Sequence, residues 1–177
     1  MADSRKKPSQ QQLNRLLEVY QSGSIRDSEK LALSMTLQFP NHEFGWKVLG
    51  AVLGQTDRNY EALNANQTVV SLSPQDPATH YNLGITLKNL GRLEEAATSY
   101  RQAMVLKPDY AEAHNNLGVI LQELGRLEEA EKVYKEAITL KPNYADAFWN
   151  LSSCEKTIEA SENWIDRCLI ADPNHLK

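Results

Sequence analysis

Long apolar runs are missing from this chain. None of its 177 residues falls in a stretch approaching the roughly 18 apolar residues of a membrane span, so no membrane partner is expected. Cysteine is scarce: Cys154 and Cys168, 14 residues apart, do not form a zinc motif. Buried reduced thiols are the favoured reading of the pair, and a disulfide is the minority alternative. There is no phosphate loop, no dinucleotide fingerprint and no Ser/His/Asp grouping. Alternating strand patterns are absent as well. The net charge is only -4, with both signs interspersed, which argues against general nucleic-acid binding. Residues 1–8 are polar, with Arg5, Lys6 and Lys7 together and no apolar run, so they do not read as a secretory signal. A frayed, disordered terminus is the favoured reading there, against a small basic contact patch. These absences leave no expectation of enzyme activity within these residues, and none of a cofactor or metal. The expected location is cytoplasmic.

What the chain has instead is a repeat. Residues 77–110 and 111–144 agree at 18 of 34 positions. Both carry His-x-Asn-Leu-Gly (80–84 and 114–118), then Leu-Gly-Arg-Leu-Glu-Glu-Ala (90–96 and 124–130), then Leu-Lys-Pro (106–108 and 140–142). A fixed period in this range signals a repeat architecture. Within one copy, Leu83, Leu87 and Leu90 recur at helical spacing. Gly91 then supplies the left-handed conformation that ends a helix cheaply. Leu93, Ala96, Ala97, Tyr100, Ala103, Met104 and Leu106 resume the spacing until Pro108 stops it. Each copy therefore reads as two antiparallel helices. Gly84 and Gly118 lie inside first helices, where glycine costs about 1 kcal/mol relative to alanine, and close approach of the partner helix is the expected compensation. Such a hairpin cannot bury both faces alone and needs neighbours.

The pattern resembles the tetratricopeptide repeat (TPR), in which Trp, Leu, Gly, Tyr, Ala, an aromatic residue and Pro fall in fixed phase over one period. His80, Leu83, Gly84, Leu87, Ala96, Tyr100 and Pro108 take those places in one copy. His114, Leu117, Gly118, Leu121, Ala130, Tyr134 and Pro142 take them in the next. Residues 43–76 fit through Trp46, Leu49, Gly50, Leu53, Ala62, Val69 and Pro74. Asp57 replaces the turn glycine there, and Asn66 replaces the large aromatic, so looser packing is expected. Residues 9–42 form a weaker copy, with Leu13, Leu16, Leu17 and Tyr20, then Ser28, Ala32, Met35 and Pro40. A fifth copy, 145–174, begins with Phe148, Leu151 and Ser152 and then departs, which implies a tighter turn or a shortened first helix. The resemblance implies an all-α, right-handed solenoid of five helix hairpins. Residues 175–177 fall where another first helix would start, which suggests a fragment of something longer or a solenoid without a C-terminal cap.

His80 and His114 share one repeat position with Trp46 and Phe148, so core packing is preferred to metal binding. Glu94/Glu95 and Glu128/Glu129 fall in the first turn of second helices, where the dipole favours negative charge. By family position, Asn82, Asn116 and Asn150 line the concave groove, one per repeat. An amide offers a donor and an acceptor and can hold a peptide backbone whatever its side chains. A similar ladder occurs in O-linked N-acetylglucosamine transferases; the alternative is that these asparagines bond locally. Neighbouring groove candidates are Tyr81, Lys88, Asn115, Gln122, Trp149 and Lys156. A carboxylate clamp of the chaperone-binding kind is rejected: Lys47 and Asn82 match it, but Ala51, Glu112 and Asn116 do not.

The implied function is a scaffold for a protein or extended peptide. The alternatives are a recruiting or oligomerisation arm of a larger glycosyl-, sulfo- or methyltransferase, whose bacterial TPR arms the chain also resembles, with catalysis downstream. A homo-oligomer through the last helix, by way of Trp164, Ile165 and Leu169, is a further expectation.

Overall fold

A computed structural model describes residues 7–154 and 158–172; for 158–162 it describes the helical backbone. Among the described residues there are ten α-helices and no strand: α1 (Gln10–Gln21), α2 (Ile25–Gln38), α3 (Glu43–Gln55), α4 (Asn59–Leu72), α5 (Pro77–Asn89), α6 (Leu93–Leu106), α7 (Ala111–Glu123), α8 (Leu127–Leu140), α9 (Ala145–Ser152) and α10 (Ile158–Ala171). The chain divides into two compact units, Met1–Leu90 and Gly91–Lys177.

In the first unit each helix packs on its sequence neighbour, from α1 on α2 through to α4 on α5. Its core gathers Leu16, Ala32, Met35, Val48, Leu49, Val52, Leu53, Ala62 and Ala65. Local signals start and stop these helices. Ser9 caps α1 in a capping box with Gln12, which satisfies two end groups reciprocally. Pro8, just before it, is buried. The expectation of disorder for residues 1–6 lies outside the described residues. Asp57 turns the chain between α3 and α4 at φ 56°, the left-handed role read for it from sequence. Asp76 caps α5 by accepting from the Ala78 N–H at 3.0 Å, with Pro77 at the first helical position. Lys47 joins Asp76 at 2.8 Å and Glu43 at 3.1 Å, and Glu43 also accepts from the Ser73 hydroxyl. These bonds tie the start of α3 to the α4–α5 connection.

In the second unit α6 to α10 pack in the same sequential order, and the first helices α7 and α9 also touch. Tyr100 and Tyr134 are fully buried. Glu94, Glu95, Glu128 and Glu129 do sit in the first turns of α6 and α8. Glu95 takes a two-pronged bond from Arg92, and Glu129 one from Arg126. Those guanidinium groups hold both carboxyls below their usual range. Helix α9 has 8 residues where α7 has 13, so the departure of the fifth copy takes the form of a shortened first helix.

Candidate functional site

In the first unit, the site residues come from α5. Asn82 is exposed, and Tyr81 and Lys88 are half-buried. Asn82 borders a cavity of about 360 Å3 whose lining includes Gly50 and Gly54 of α3, Asn66 of α4, Tyr20 of α1 and Asn89 of α5. At this opening Asn66 stands where the next two copies have Tyr100 and Tyr134. Asn66 is buried, and its amide N–H donates to the Thr86 hydroxyl at 2.8 Å. The looser packing expected at this position takes the form of that cavity.

In the second unit, α7 and α9 contribute. Asn116 and Asn150 are half-buried, whereas Asn115 is buried, 5 % exposed. The Asn150 side-chain amide donates to the Asn115 side-chain oxygen Oδ1 at 3.1 Å, joining two successive first helices. Gln122 donates to the Ser153 hydroxyl at 2.9 Å and accepts from the Tyr134 hydroxyl at 3.1 Å. Burial raises the Tyr134 phenol well above its ordinary value, so it stays a neutral donor. Trp149 is 42 % exposed on α9. Lys156 lies outside the described residues.

The remaining candidates have structural partners. Trp46, His80 and His114 each place a ring nitrogen 2.9–3.0 Å from the carbonyl oxygen of the proline six residues back: Pro40, Pro74 and Pro108. This position therefore bonds the connection between hairpins as well as packing against it. The sharing of one place by Trp and His is the sequence signal for that bond, since both rings carry an N–H. Among the described residues no three His, Cys, Asp or Glu side chains group to hold a metal ion. Cys154 and Cys168 are buried and not joined, and burial pushes the Cys168 thiol up. Lys47, one of the two matches to a carboxylate clamp, is committed to Glu43 and Asp76. Near the end of the described chain, Trp164 stacks on Phe148 with ring centroids 5.9 Å apart, and Arg167 lies over both rings. No helix of the described residues is long and apolar enough to cross a membrane.

Gly118 shows how tightly one hairpin closes. A Cβ at that position would lie 2.4 Å from Tyr134 Cε1, which is the close approach expected from a glycine inside a first helix. Tetratricopeptide-repeat family models match residues 65–98 and 111–144, and a TPR repeat model matches 86–125. The chain carries tetratricopeptide repeats over residues 65–144. Solved TPR structures share its fold over nearly the whole length. MamA from Desulfovibrio magneticus RS-1 is 15 % identical with a TM-score of 0.84, over 94 % of this chain and 96 % of that one. YrrB, described as a TPR protein with an unusual peptide-binding site, is 18 % identical with a TM-score of 0.78, over 97 % and 90 %. A thermophilic TPR protein of Thermus thermophilus is 19 % identical with a TM-score of 0.74, over 94 % and 93 %. At such identities the likeness establishes the fold, an all-α helical-repeat solenoid, and not the ligand. A search of curated proteins found no match.

Proposed function

We propose that this TPR chain is a binding scaffold that holds an extended peptide, or an extended segment of a partner protein, on the faces of its first helices. The observation that carries this is the amide cluster of α7 and α9. Asn115, Asn116 and Asn150 lie on two first helices in contact, beside the exposed indole of Trp149. Carboxamides can donate to and accept from a peptide backbone, and a rigid aromatic anchor supplies apolar area. Asn82 of α5 offers the same chemistry in the first unit. That YrrB is described as peptide-binding supports the reading. We favour it over a recruiting arm of a group-transfer enzyme, for which no observation speaks.

The test is a random-peptide array followed by calorimetry on the peptides it selects. Asn116→Ala and Asn82→Ala should each weaken binding by about fivefold, the worth of a lost hydrogen bond, and the exposed Asn82 should do so with the melting temperature unchanged. Asn150→Ala should also destabilise the protein by about 1–3 kcal/mol, because it strands the buried Asn115 amide. Unchanged affinity in the first two variants would remove the basis of the reading. A second reading, association of two copies through α10, is supported by Ile170, which is 82 % exposed. It is narrower than the sequence suggests, because Trp164 is engaged with Phe148 and Arg167. Sedimentation over a wide concentration range tests it: a dimer weakened by Ile170→Glu is the supporting result, and a monomer throughout is the opposing one.

A further inference from the structure

The second unit shows what belongs in the space that the first unit leaves open. There, the Tyr134 ring lies over the backbone of Gly118 and its hydroxyl reaches the Gln122 amide oxygen. Two repeats earlier the same three places hold Asn66, Gly50 and Gly54. The Asn66 amide covers only the near part of the ring's place: its Oδ1 would lie 2.5 Å from a Cβ at Gly50. Beyond it, where the outer ring and the glutamine would be, lies Gly54, whose Cβ position has no atom within 4 Å apart from its chain neighbours and its own helix backbone. Asn66 is held to Thr86 and so is not disposed to swing into the gap. The result is the cavity of about 360 Å3, within the range of about 300–1,000 Å3 typical of small-ligand pockets.

We propose that this cavity receives one uncharged aromatic side chain, a tyrosine ring of the bound peptide. The proposal rests on the peptide-binding reading for the source of the ring, but not for the cavity. A flat ring would lie against glycine backbone, as Tyr134 does on Gly118. Tyr20, in the lining, offers an aromatic surface for offset or edge contact. The amides of Asn82 and Asn89 supply hydrogen-bond partners for a hydroxyl, the role that Gln122 plays for Tyr134. No described lining residue is charged, so a phosphorylated ring would surrender its hydration without gaining an opposite charge.

The probe is p-cresol, which has the tyrosine side chain and no peptide backbone, followed by amide NMR on the whole chain. Phenyl phosphate is the charged control. The expected result is saturable millimolar binding of p-cresol, with shifts centred on Gly50, Gly54 and Asn82, and no such response to phenyl phosphate. Two variants fill the space from inside. Asn66→Tyr introduces the ring that the copies at 77–110 and 111–144 carry as Tyr100 and Tyr134, and Gly54→Gln adds the side chain present at Gln122 into open space. Each should weaken p-cresol binding by about tenfold or more. If Asn66→Tyr folds poorly, Gly54→Gln alone decides. Shifts that never saturate, equal binding of phenyl phosphate, or undiminished binding by a folded variant would overturn the proposal. Failure of the peptide reading appears elsewhere, in the Asn82 and Asn116 calorimetry, and does not mimic any of these results.

Discussion

The pairs α3–α4 and α7–α8 are built on one 34-residue frame but close it differently. In α7–α8 a buried tyrosine ring presses on a helical glycine, and its hydroxyl is fixed by a glutamine one turn along. In α3–α4 an asparagine replaces the ring, a glycine replaces the glutamine, and a hydrogen bond to α5 replaces ring packing. The frame survives because its other contacts are kept: Leu49, Leu53, Ala62 and Val69 are buried as Leu117, Leu121, Ala130 and Ala137 are. A repeat fold thus tolerates the loss of one large core side chain if a small polar group is satisfied in its place. The space left over becomes available to a ligand.

The largest expected effect comes from breaking the closed pair. Tyr134→Ala removes a fully buried aromatic ring and should cost about 3–5 kcal/mol in a denaturant melt. Asn66→Ala, at the matching place, should cost about 1–3 kcal/mol, since it loses one buried hydrogen bond and little volume. Equal costs would mean that the two pairs do not differ in the way described.

The glycines sharpen the contrast. Gly118→Ala drives a methyl group into the Tyr134 ring and should destabilise by about 1–3 kcal/mol. Gly54→Ala meets open space and should instead stabilise α3 by up to about 1 kcal/mol. Opposite signs of the shift in melting temperature are the expected outcome.

The smallest effect is in acid. The Ser73 hydroxyl, bonded to Glu43, lowers its carboxyl below the ordinary 4.5; burial opposes this, and Lys47 adds to the lowering. A carboxyl whose folded value is depressed stabilises the fold above its unfolded value, and that contribution is lost as pH falls through the folded value. Stability should therefore drop as pH goes below about 4.5, and Glu43→Gln should flatten that drop. Because the side chain is 38 % exposed, the difference should stay within about 1 kcal/mol. Helix α7 has Ala111 at the corresponding place and lacks this source of acid sensitivity.

Most of the fold was legible from periodicity, because helix spacing, turn residues and small-on-large pairs are local or recur at a fixed distance. Asp57 in the left-handed turn and Gly118 under Tyr134 are of this kind. The site was less legible. Asn115 reads from its position as a groove residue, yet α9 buries it and Asn150 binds it, which only a neighbouring hairpin determines. Asn66 reads as loose packing, and its bond to Thr86 depends on how α5 meets α4. The shared ring nitrogen of Trp46, His80 and His114 was visible only as an odd exchange of residue types. Its partner is a backbone carbonyl, which no side-chain pattern reveals.

The proposed reading of ligands by the first helices is open to side-chain amide NMR. With a peptide chosen from the array, the signals of Asn116 and Asn150 in the second unit, or that of Asn82 in the first, should shift and saturate, while that of Asn64 on the second helix α4 stays in place. Shifts confined to second-helix side chains, with those three amides unmoved at saturation, would contradict it.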